Sequence, residues 1–214
     1  MKAGYVLRVL DVWASSRLQE SLSRLRILCI LIMRWEWGGA VSKVPAWFER
    51  KFEFTFPVEA YPNLVVRLRG TPARVEEILR GSPREILVAK ESGKWSAQEH
   101  AGHLLDLEPL WSARVEDFVT GGSELTVADL RNQKTHEANH NARAVEEILA
   151  DFRNARLALM RRLETLRQDL FARTMLHPRL KQPMRLVDHL YFVAEHDDHH
   201  LAHIWELLQA GEAS

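Results

Sequence analysis

The sequence predicts an all-α protein, a four-helix bundle with an N-terminal extension. Four long segments carry apolar residues at the spacing of an amphipathic helix. Only one short stretch alternates apolar and polar residues as a strand does. Several of the helical segments also have recognisable start or stop residues. Amphipathic helices bury their apolar faces against each other, which favours a bundle.

The strongest helix start in the chain is Ser96-Ala-Gln-Glu99. It is a capping box, in which the serine and glutamate side chains each accept a hydrogen bond from a free backbone amide. Trp95 precedes the box and can supply the apolar contact that often accompanies it. Thr71-Pro72 resembles an N-cap followed by proline, so we expect a new helical segment to start there. The predicted helices cover 61–80 in two pieces, 96–119, 145–167 and 184–210.

The remaining segments extend or connect the bundle. Residues 1–44 have an irregular pattern and are predicted to be an N-terminal extension, either poorly ordered or added by a wrongly assigned start codon. The bundle is then expected to span 45–211. Phe52–Phe56 is predicted to be a short strand or extended arm that can serve a homodimer. Residues 120–142 are predicted to be a long connection with one short turn at Val127–Leu130.

The composition excludes several classes of protein. Lys plus Arg and Asp plus Glu number 29 each, so the chain lacks the basic surface that nucleic-acid binding requires. The single cysteine, Cys29, excludes an internal disulfide framework and agrees with a reducing compartment. The longest apolar run, Ile27–Met33, is much shorter than the roughly 20 residues that span a bilayer. We therefore expect a cytoplasmic protein without nucleic-acid or membrane partners.

The histidines are concentrated in one half of the chain. All ten fall between His100 and His203. His196 and His200 stand four residues apart, so they differ by about 40° around a helix axis and by one turn along it. Two imidazoles placed in this way can bind the same cation. The same spacing also arises by chance in a histidine-rich helix, so it does not by itself establish a metal site.

A third ligand has to come from another helix, and His103 is the best candidate. It lies in the capping-box helix beside Leu104 and Leu107, so it faces the fourth helix if the two helices are neighbours. Three neutral imidazoles leave a position open for water or substrate, and they favour zinc, nickel or iron over magnesium or calcium. The alternative is a histidine that only packs or hydrogen-bonds within the core.

Three separated motifs carry further information. They are Lys94-Trp-Ser-Ala-Gln-Glu-His-Ala-Gly-His-Leu104, His177-Pro178 and Ala194-Glu-His-Asp-Asp-His-His-Leu-Ala-His-Ile204. In this order they resemble the DinB/YfiT-like superfamily of helical-bundle metalloproteins. The resemblance extends over about 45–208 and implies the four-helix fold of that superfamily. It also implies a divalent metal ion bound by His103, His196 and His200. His100 competes for the first position, but His103-Leu104 matches the His-Leu step of the family.

Four other residues are candidates for the surroundings of the metal. Asp106 lies one turn beyond His103 and can orient that ligand, or it is an ordinary solvated carboxylate. His177 can approach the site from its loop, or it only caps a helix. Asp197 and His199 match the family motif, and the alternative for both is a surface or dimer contact.

The resemblance implies an enzyme, without a particular reaction. Characterised relatives include transferases and isomerases that use small bacterial thiols such as bacillithiol or mycothiol. We expect the metal to lower the pKa of a water or a thiol and to present it to an electrophilic small molecule, for hydrolysis or thiol S-transfer. No cysteine lies near the predicted site, so the thiol has to come from a cosubstrate. The alternatives are a non-catalytic metal-binding stress or regulatory bundle and a metal-free dimerisation domain.

Overall fold

The computed structural model describes residues 43–90 and 93–212 of the chain. The predicted extension over 1–44 lies, except for its last two residues, outside the described residues, and so does Cys29. The boundary between extension and bundle therefore stays a prediction. The helices are α1 Tyr61–Leu79, α2 Arg84–Leu87, α3 Ala97–Thr120, α4 Gln133–Glu137, α5 Val145–Glu164 and α6 Leu186–Glu212. Short 3-10 helices cover Trp47–Glu49, Val58–Ala60, His140–Ala142 and Gln168–Ala172.

The four long helices pack in the ring order α1, α6, α3, α5. Consecutive bundle helices α1 and α3 therefore lie across the bundle from each other, and so do α5 and α6. The predicted all-α bundle is confirmed, and α3 and α6 are the neighbours that a site shared by His103 and His196 requires. In the described part of the chain, no helix is long and apolar enough to cross a membrane.

The start of α3 was predicted correctly. The Ser96 hydroxyl accepts from the Glu99 amide at 3.1 Å, and the Glu99 carboxylate accepts from the Ser96 amide at 2.9 Å. Trp95 also packs on the first turn, where its ring lies against that of His100, with centroids 5.5 Å apart. The helix ends at Gly121, whose φ of 79° suits a residue without a Cβ. The cap fixes the first turn of α3 and therefore the direction in which its histidines point.

The two predicted segments within 61–80 are one helix, α1, so the predicted break at Thr71-Pro72 was wrong. Pro72 lies inside the helix, and because proline has no amide hydrogen, the carbonyl of Leu68 one turn earlier loses its usual donor. Arg156 of α5 replaces that donor, since its Nη1 donates to Leu68 O at 3.1 Å. A tertiary hydrogen bond therefore lets the helix continue through the proline.

A β-hairpin precedes α6, where the sequence predicted a loop and the start of a helix. Strand β1, Thr174–His177, pairs antiparallel with strand β2, Gln182–Arg185. Helix α6 therefore begins at Leu186 rather than directly after Pro183. Strands of four residues are too short for their alternation to be recognised, so the hairpin was missed. Its effect on the site is to hold His177 at the end of β1.

The connection between α3 and α5 is more ordered than predicted. Its turn lies at Leu130-Arg131, at the end of the predicted Val127–Leu130 turn. Helix α4 follows and was not predicted, because its residues are polar and show no periodicity. Glu124 also forms an isolated bridge to Leu176 of the hairpin. Helix α4 matters for function because it carries Thr135 to the candidate site.

The Phe52–Phe56 segment forms no strand within the described residues, so the expected strand is absent, and the extended arm stays a prediction. Its rings pack on their own chain. Phe52 lies against Trp47 and Phe192, with centroid distances of 5.2 and 5.1 Å, and the other two rings contact Tyr191. These side chains are engaged within one chain, and a homodimer through this arm stays a prediction.

Candidate metal centre

The structure brings the three predicted ligands together inside the bundle. His103 comes from α3, while His196 and His200 occupy successive turns of the neighbouring α6. One ligand nitrogen of each lies within 4.8 Å of the other two. All three side chains are buried. These residues are therefore placed so that they can hold one metal ion.

The separation of the two α6 nitrogens suits a shared ion. His196 Nε2 and His200 Nε2 lie 3.2 Å apart. Two nitrogens bound tetrahedrally to one zinc ion, each at about 2.0–2.1 Å, lie about 3.3–3.4 Å from each other. Facing lone pairs repel at this distance unless a proton or a cation lies between them. A donor set of three imidazoles fits zinc, nickel or iron better than the oxygen-preferring magnesium and calcium.

A chain of hydrogen bonds fixes the His103 ring. Its Nδ1 lies 2.9 Å from Thr135 Oγ1, and this hydroxyl donates to Asp106 Oδ2 at 3.0 Å. Because the hydroxyl gives its only proton to the carboxylate, it accepts a hydrogen bond from Nδ1–H of His103. The Nε2 atom of His103 then keeps its lone pair for a metal ion.

Asp106 holds the other end of this chain. Its Oδ2 accepts from His140 Nε2 at 2.8 Å, and its Oδ1 lies 3.6 Å from Lys134 Nζ. Burial raises the pKa of Asp106, but the hydrogen bond from His140 and the neighbouring charges outweigh it, so the pKa lies below its ordinary value. Asp106 is therefore an ionised acceptor at neutral pH. It contacts His103 through Thr135 rather than directly.

His100, the competitor for the first ligand position, contacts His200 instead. The Nδ1 atoms of the two rings lie 2.8 Å apart. Since Nε2 of His200 lies beside His196, Nδ1–H of His200 is free to donate to Nδ1 of His100. His100 is outside the three-histidine group, and its contact orients one member of that group.

Burial keeps these imidazoles neutral. It lowers the pKa of His103 to about 4 and that of His100 to about 3. Burial is also the largest of the causes that place the pKa values of His196 and His200 well below their ordinary value. Neutral imidazole is the form that binds metal, so protons do not compete for these nitrogens near neutral pH. Among the described residues, Nδ1 of His196 has no hydrogen-bond partner.

Asp197, which also matched the family motif, points into a separate buried network. Its Oδ2 accepts from Arg156 Nη1 at 2.6 Å and from Thr71 Oγ1 at 2.8 Å. Arg156 also donates through Nε to Glu108 Oε1 at 2.9 Å. Complete burial excludes the surface contact that was the alternative for Asp197. The network joins α1, α3, α5 and α6, so Asp197 contacts packing partners rather than the three ligands.

His199 and His177 lie in the walls of a pocket beside the three histidines. His199 is partly exposed, and its ring lies 5.5 Å from that of Trp47. His177 is buried, and its ring lies 5.0 Å from that of Phe192. Neither belongs to the three-histidine group.

The pocket has a volume of about 540 Å³ and is lined by all three candidate ligands. Trp95 lies over His103, with centroids 4.7 Å apart, and Trp111 lies 5.6 Å from His196. Tryptophan and phenylalanine rings, aliphatic side chains, histidines and several charged residues line this cavity, and a volume of this size is typical of sites for small molecules. The arrangement can therefore present a metal ion to a small ligand.

The sequence model of the DinB superfamily matches residues 67–204, a span that contains all three histidines. This chain belongs to the DinB superfamily. Its fold is similar to the solved structure of YfiT from Bacillus subtilis, described as a probable metal-dependent hydrolase with an unusual four-helix bundle topology. The TM-score is 0.66 and the identity 22%, over 77% of this DinB chain and 94% of YfiT, which shows a shared fold. The comparison with curated proteins found no match.

Sequence reasoning missed two parts of this DinB site. Thr135 lies in the connection between α3 and α5, where nothing in the sequence placed it near His103. Arg114 and Arg179, which line the pocket, were also missed. For Arg114 a pattern was available. Arg114 follows His103 by eleven residues, and eleven steps of about 100° bring it to nearly the same face of α3 as His103.

Proposed function

We propose that this DinB protein is a metal-dependent enzyme that activates water or a small thiol at the site of His103, His196 and His200. The observation that carries the proposal is the convergence of three buried, neutral imidazoles beside an open pocket. A divalent ion bound there, zinc, nickel or iron, supplies Lewis-acid chemistry that lowers the pKa of a water or a thiol. The description of YfiT as a probable metal-dependent hydrolase supports hydrolysis as the first candidate reaction.

The residues of the chain have separate tasks in this proposal. The three ligands provide neutral nitrogens, and the contacts from Thr135 and His100 hold two of the rings in fixed orientations. Trp95 and Trp111 cover the rings of His103 and His196 and limit the access of bulk water. Electrostatic interactions are stronger in such a partly dry site than in water.

The open pocket favours an enzyme over the alternative, a non-catalytic metal-binding stress or regulatory bundle. A structural metal site is usually closed by a fourth protein ligand, whereas a catalytic site keeps one position open. In the described part of the chain, no fourth histidine, cysteine or carboxylate joins the three-histidine group. The pocket volume of about 540 Å³ also lies in the range of small-molecule sites.

Thiol S-transfer is the second candidate reaction, and it needs a thiol from outside the site. The only cysteine of the chain, Cys29, lies outside the described residues, so we propose that a low-molecular-weight thiol serves as cosubstrate. We propose the cytoplasm as the location, because a chain with one cysteine has no internal disulfide to maintain.

Elemental analysis of the purified full-length protein tests the metal site. After chelator treatment and separate reloading with zinc, nickel or iron, the parent should retain about one ion per chain. The double variant His196→Ala, His200→Ala should retain none while keeping its helical circular dichroism. His203→Ala is the matched control, because it lies on the same helix, pairs with Glu206 at 3.3 Å and is outside the three-histidine group. It should keep its metal.

Equal metal content in the parent and in the folded double variant would refute the site. If the site is established, the loaded parent and the double variant are compared on ester and amide substrates, with and without an added thiol. Turnover that depends on the metal and on both histidines supports the enzyme, and dependence on the added thiol identifies S-transfer. A loaded parent without turnover in either series supports the metal-binding bundle instead.

A further inference from the structure

One wall of the pocket carries two arginines that have no carboxylate partner. Arg114 of α3 and Arg179 of the hairpin turn both line the pocket, and so does His177, whose Nε2 lies 3.3 Å from Arg114 Nη1. Neither guanidinium group forms an ion pair with a carboxylate of the described residues. A buried arginine such as Arg114 is normally paired, and Arg156 of this protein is bonded to two carboxylates; Arg179 is partly buried. The two unpaired cations therefore require an explanation.

Arg114 is held in place and directed at the pocket wall. Only 2% of the residue is exposed, and its Nε donates to Thr126 O at 2.9 Å. Burial lowers the pKa of Arg114 to about 10; Asp117 opposes the shift and the charge of Arg179 adds to it. The positive charge of Arg179 thus disfavours the charged form of Arg114, an effect that an anion bound beside them would oppose.

The guanidinium group of Arg179 lies against two aromatic rings. Its Cζ lies 5.3 Å from the centroid of Phe48 and 5.7 Å from that of Phe192. Its Nη2 is buried and has no hydrogen-bond acceptor among the described residues. An unsatisfied buried donor costs free energy, and a ligand with an acceptor oxygen would remove that cost.

His177 adds a further donor to the same place. Its Nδ1 accepts from the backbone amides of Arg179 and Leu180, at 3.2 and 3.1 Å, so the proton of the neutral ring lies on Nε2. Nε2 is only 3.3 Å from Arg114 Nη1, which is also a donor. Two donors that face each other need a shared acceptor, and the described residues supply none at this point.

The carboxylates that line the pocket are engaged elsewhere. Glu124 lies 3.3 Å from Lys181 Nζ. Asp129 accepts from the backbone amides of Arg131 and Gln133, at 3.0 and 2.8 Å, and so caps the start of α4. Neither carboxylate neutralises the two arginines. Within residues 43–90 and 93–212, these carboxylates do not supply the missing acceptor, and a bound ligand can supply it.

We propose that Arg114, Arg179 and His177 form a subsite for an oxyanionic group of the substrate, a carboxylate or a phosphate ester. Guanidinium groups bind both of these groups through paired N–H···O bonds. The substrate class is thus a small anionic molecule rather than a neutral one. This assignment deepens the proposed function and rests on it, because the bound molecule is a substrate only if the protein is an enzyme. The binding of an oxyanion at this subsite does not depend on the metal.

The subsite lies within reach of the metal centre for one small molecule. The indole of Trp111 separates them, with its centroid 5.6 Å from the His196 ring and 5.6 Å from Arg114 Cζ. A ligand anchored by its anionic group at the arginines can extend along this indole toward the three histidines. The aromatic rings between the two ends suit an apolar linking part.

Binding of benzoate and phenyl phosphate, compared with neutral benzyl alcohol, tests the subsite. Dissociation constants are measured by NMR titration on metal-free and on zinc-loaded full-length protein. We expect both anions to bind the metal-free parent about tenfold or more tightly than benzyl alcohol, because hydrogen bonds to charged groups are strong. Arg179→Met should remove this preference, and Arg179→Lys should restore part of it. The ratio of the dissociation constants of benzoate and phenyl phosphate shows whether the subsite prefers a carboxylate or a phosphate ester.

Arg114→Lys is the second variant, since loss of the buried side chain in a larger substitution can unfold the protein. It keeps the charge, loses the planar fork and should weaken both anions severalfold. Arg161→Met, which removes an exposed charge of α5 outside the pocket, is the control and should change neither constant. Circular dichroism verifies that each variant is folded.

The outcomes separate this inference from the proposed function. Anion binding that depends on Arg179 supports the subsite, and if the same protein retains no zinc, nickel or iron on reloading, the metal enzyme is refuted while the subsite stands. Anion binding that requires zinc and is unchanged by substitution of either arginine overturns the subsite and leaves the metal site intact. Equal affinity for the anions and for benzyl alcohol also overturns it.

Discussion

Gly102 of α3 lies directly against the imidazole of His140. A Cβ atom at position 102 would overlap three atoms of that ring. His140 cannot move aside freely, because it is buried and its Nε2 donates to Asp106 at 2.8 Å. The lack of a side chain at Gly102 therefore lets His140 reach Asp106. Through Asp106 and Thr135 the contact extends to His103.

Gly102→Ala is expected to weaken metal binding about tenfold or more, because the displaced His140 no longer holds Asp106. The overpacked ring should also lower the free energy of unfolding by about 1–3 kcal/mol. Competition with a coloured chelator and urea unfolding measure the two effects. Gly70→Ala is the control: its Cβ meets nothing within 4 Å, so it should stabilise α1 by up to about 1 kcal/mol. A Gly102→Ala variant with the metal affinity of the parent would contradict the role of the hydrogen bonds that link His140 to His103.

Thr135→Val is expected to weaken metal binding by about 10–100-fold, because the isosteric methyl group cannot link His103 to Asp106. The fold should remain, since the shape of the side chain is nearly unchanged. Thr120→Val is the matched control: its exposed hydroxyl bonds only to carbonyls of its own helix, at 2.9 and 3.4 Å. Metal titration of both variants decides the point. A loss shared equally by both variants would argue against a specific role for Thr135.

The bundle and the convergence of its three histidines could be predicted because helical periodicity is a local property. The spacing of His196 and His200 fixes their common face on α6, and the capping box at Ser96 fixes the phase of α3. His103 needed one more fact, the adjacency of α3 and α6, which periodicity does not supply. The resemblance to a known superfamily supplied it.

The errors arose where distant contacts decide local structure. Pro72 predicts a helix start, yet α1 continues because Arg156 bonds the carbonyl that the proline leaves free. Thr135 and Arg179 lie in polar segments without periodicity, and only the packing of those segments on α3 and α6 brings them to the site. Local sequence carries no information about such contacts.

Acid is expected to destabilise the metal-free protein below about pH 6.5. Burial lowers the pKa of His177 and that of His100 to about 3, whereas histidines of the unfolded chain titrate near 6.5. Between these values the unfolded state binds more protons, so the free energy of unfolding falls as the pH is lowered from about 6.5 toward about 3. Urea unfolding at several pH values measures this slope.

The His177→Gln variant is the matching test of that slope. It removes one depressed group, so the pH dependence of unfolding should decrease by up to about one proton per molecule. An unfolding free energy that is constant between about pH 7 and about pH 5 would contradict the burial of neutral histidines.

Asp197→Ala is expected to lower the free energy of unfolding by about 3–5 kcal/mol, because it leaves Arg156 buried with one of its two carboxylates missing. Asp198→Ala is the neighbouring control: that carboxylate pairs with Arg74 at 2.6 Å on the surface, where such pairs contribute about 0–1 kcal/mol. Urea unfolding measures both. Since Asp197 contacts Arg156 and Thr71 rather than the three ligands, the folded Asp197→Ala protein should bind metal with nearly the parent affinity. Lost metal affinity with unchanged stability would show instead that Asp197 acts on the metal site and not on the packing of the bundle.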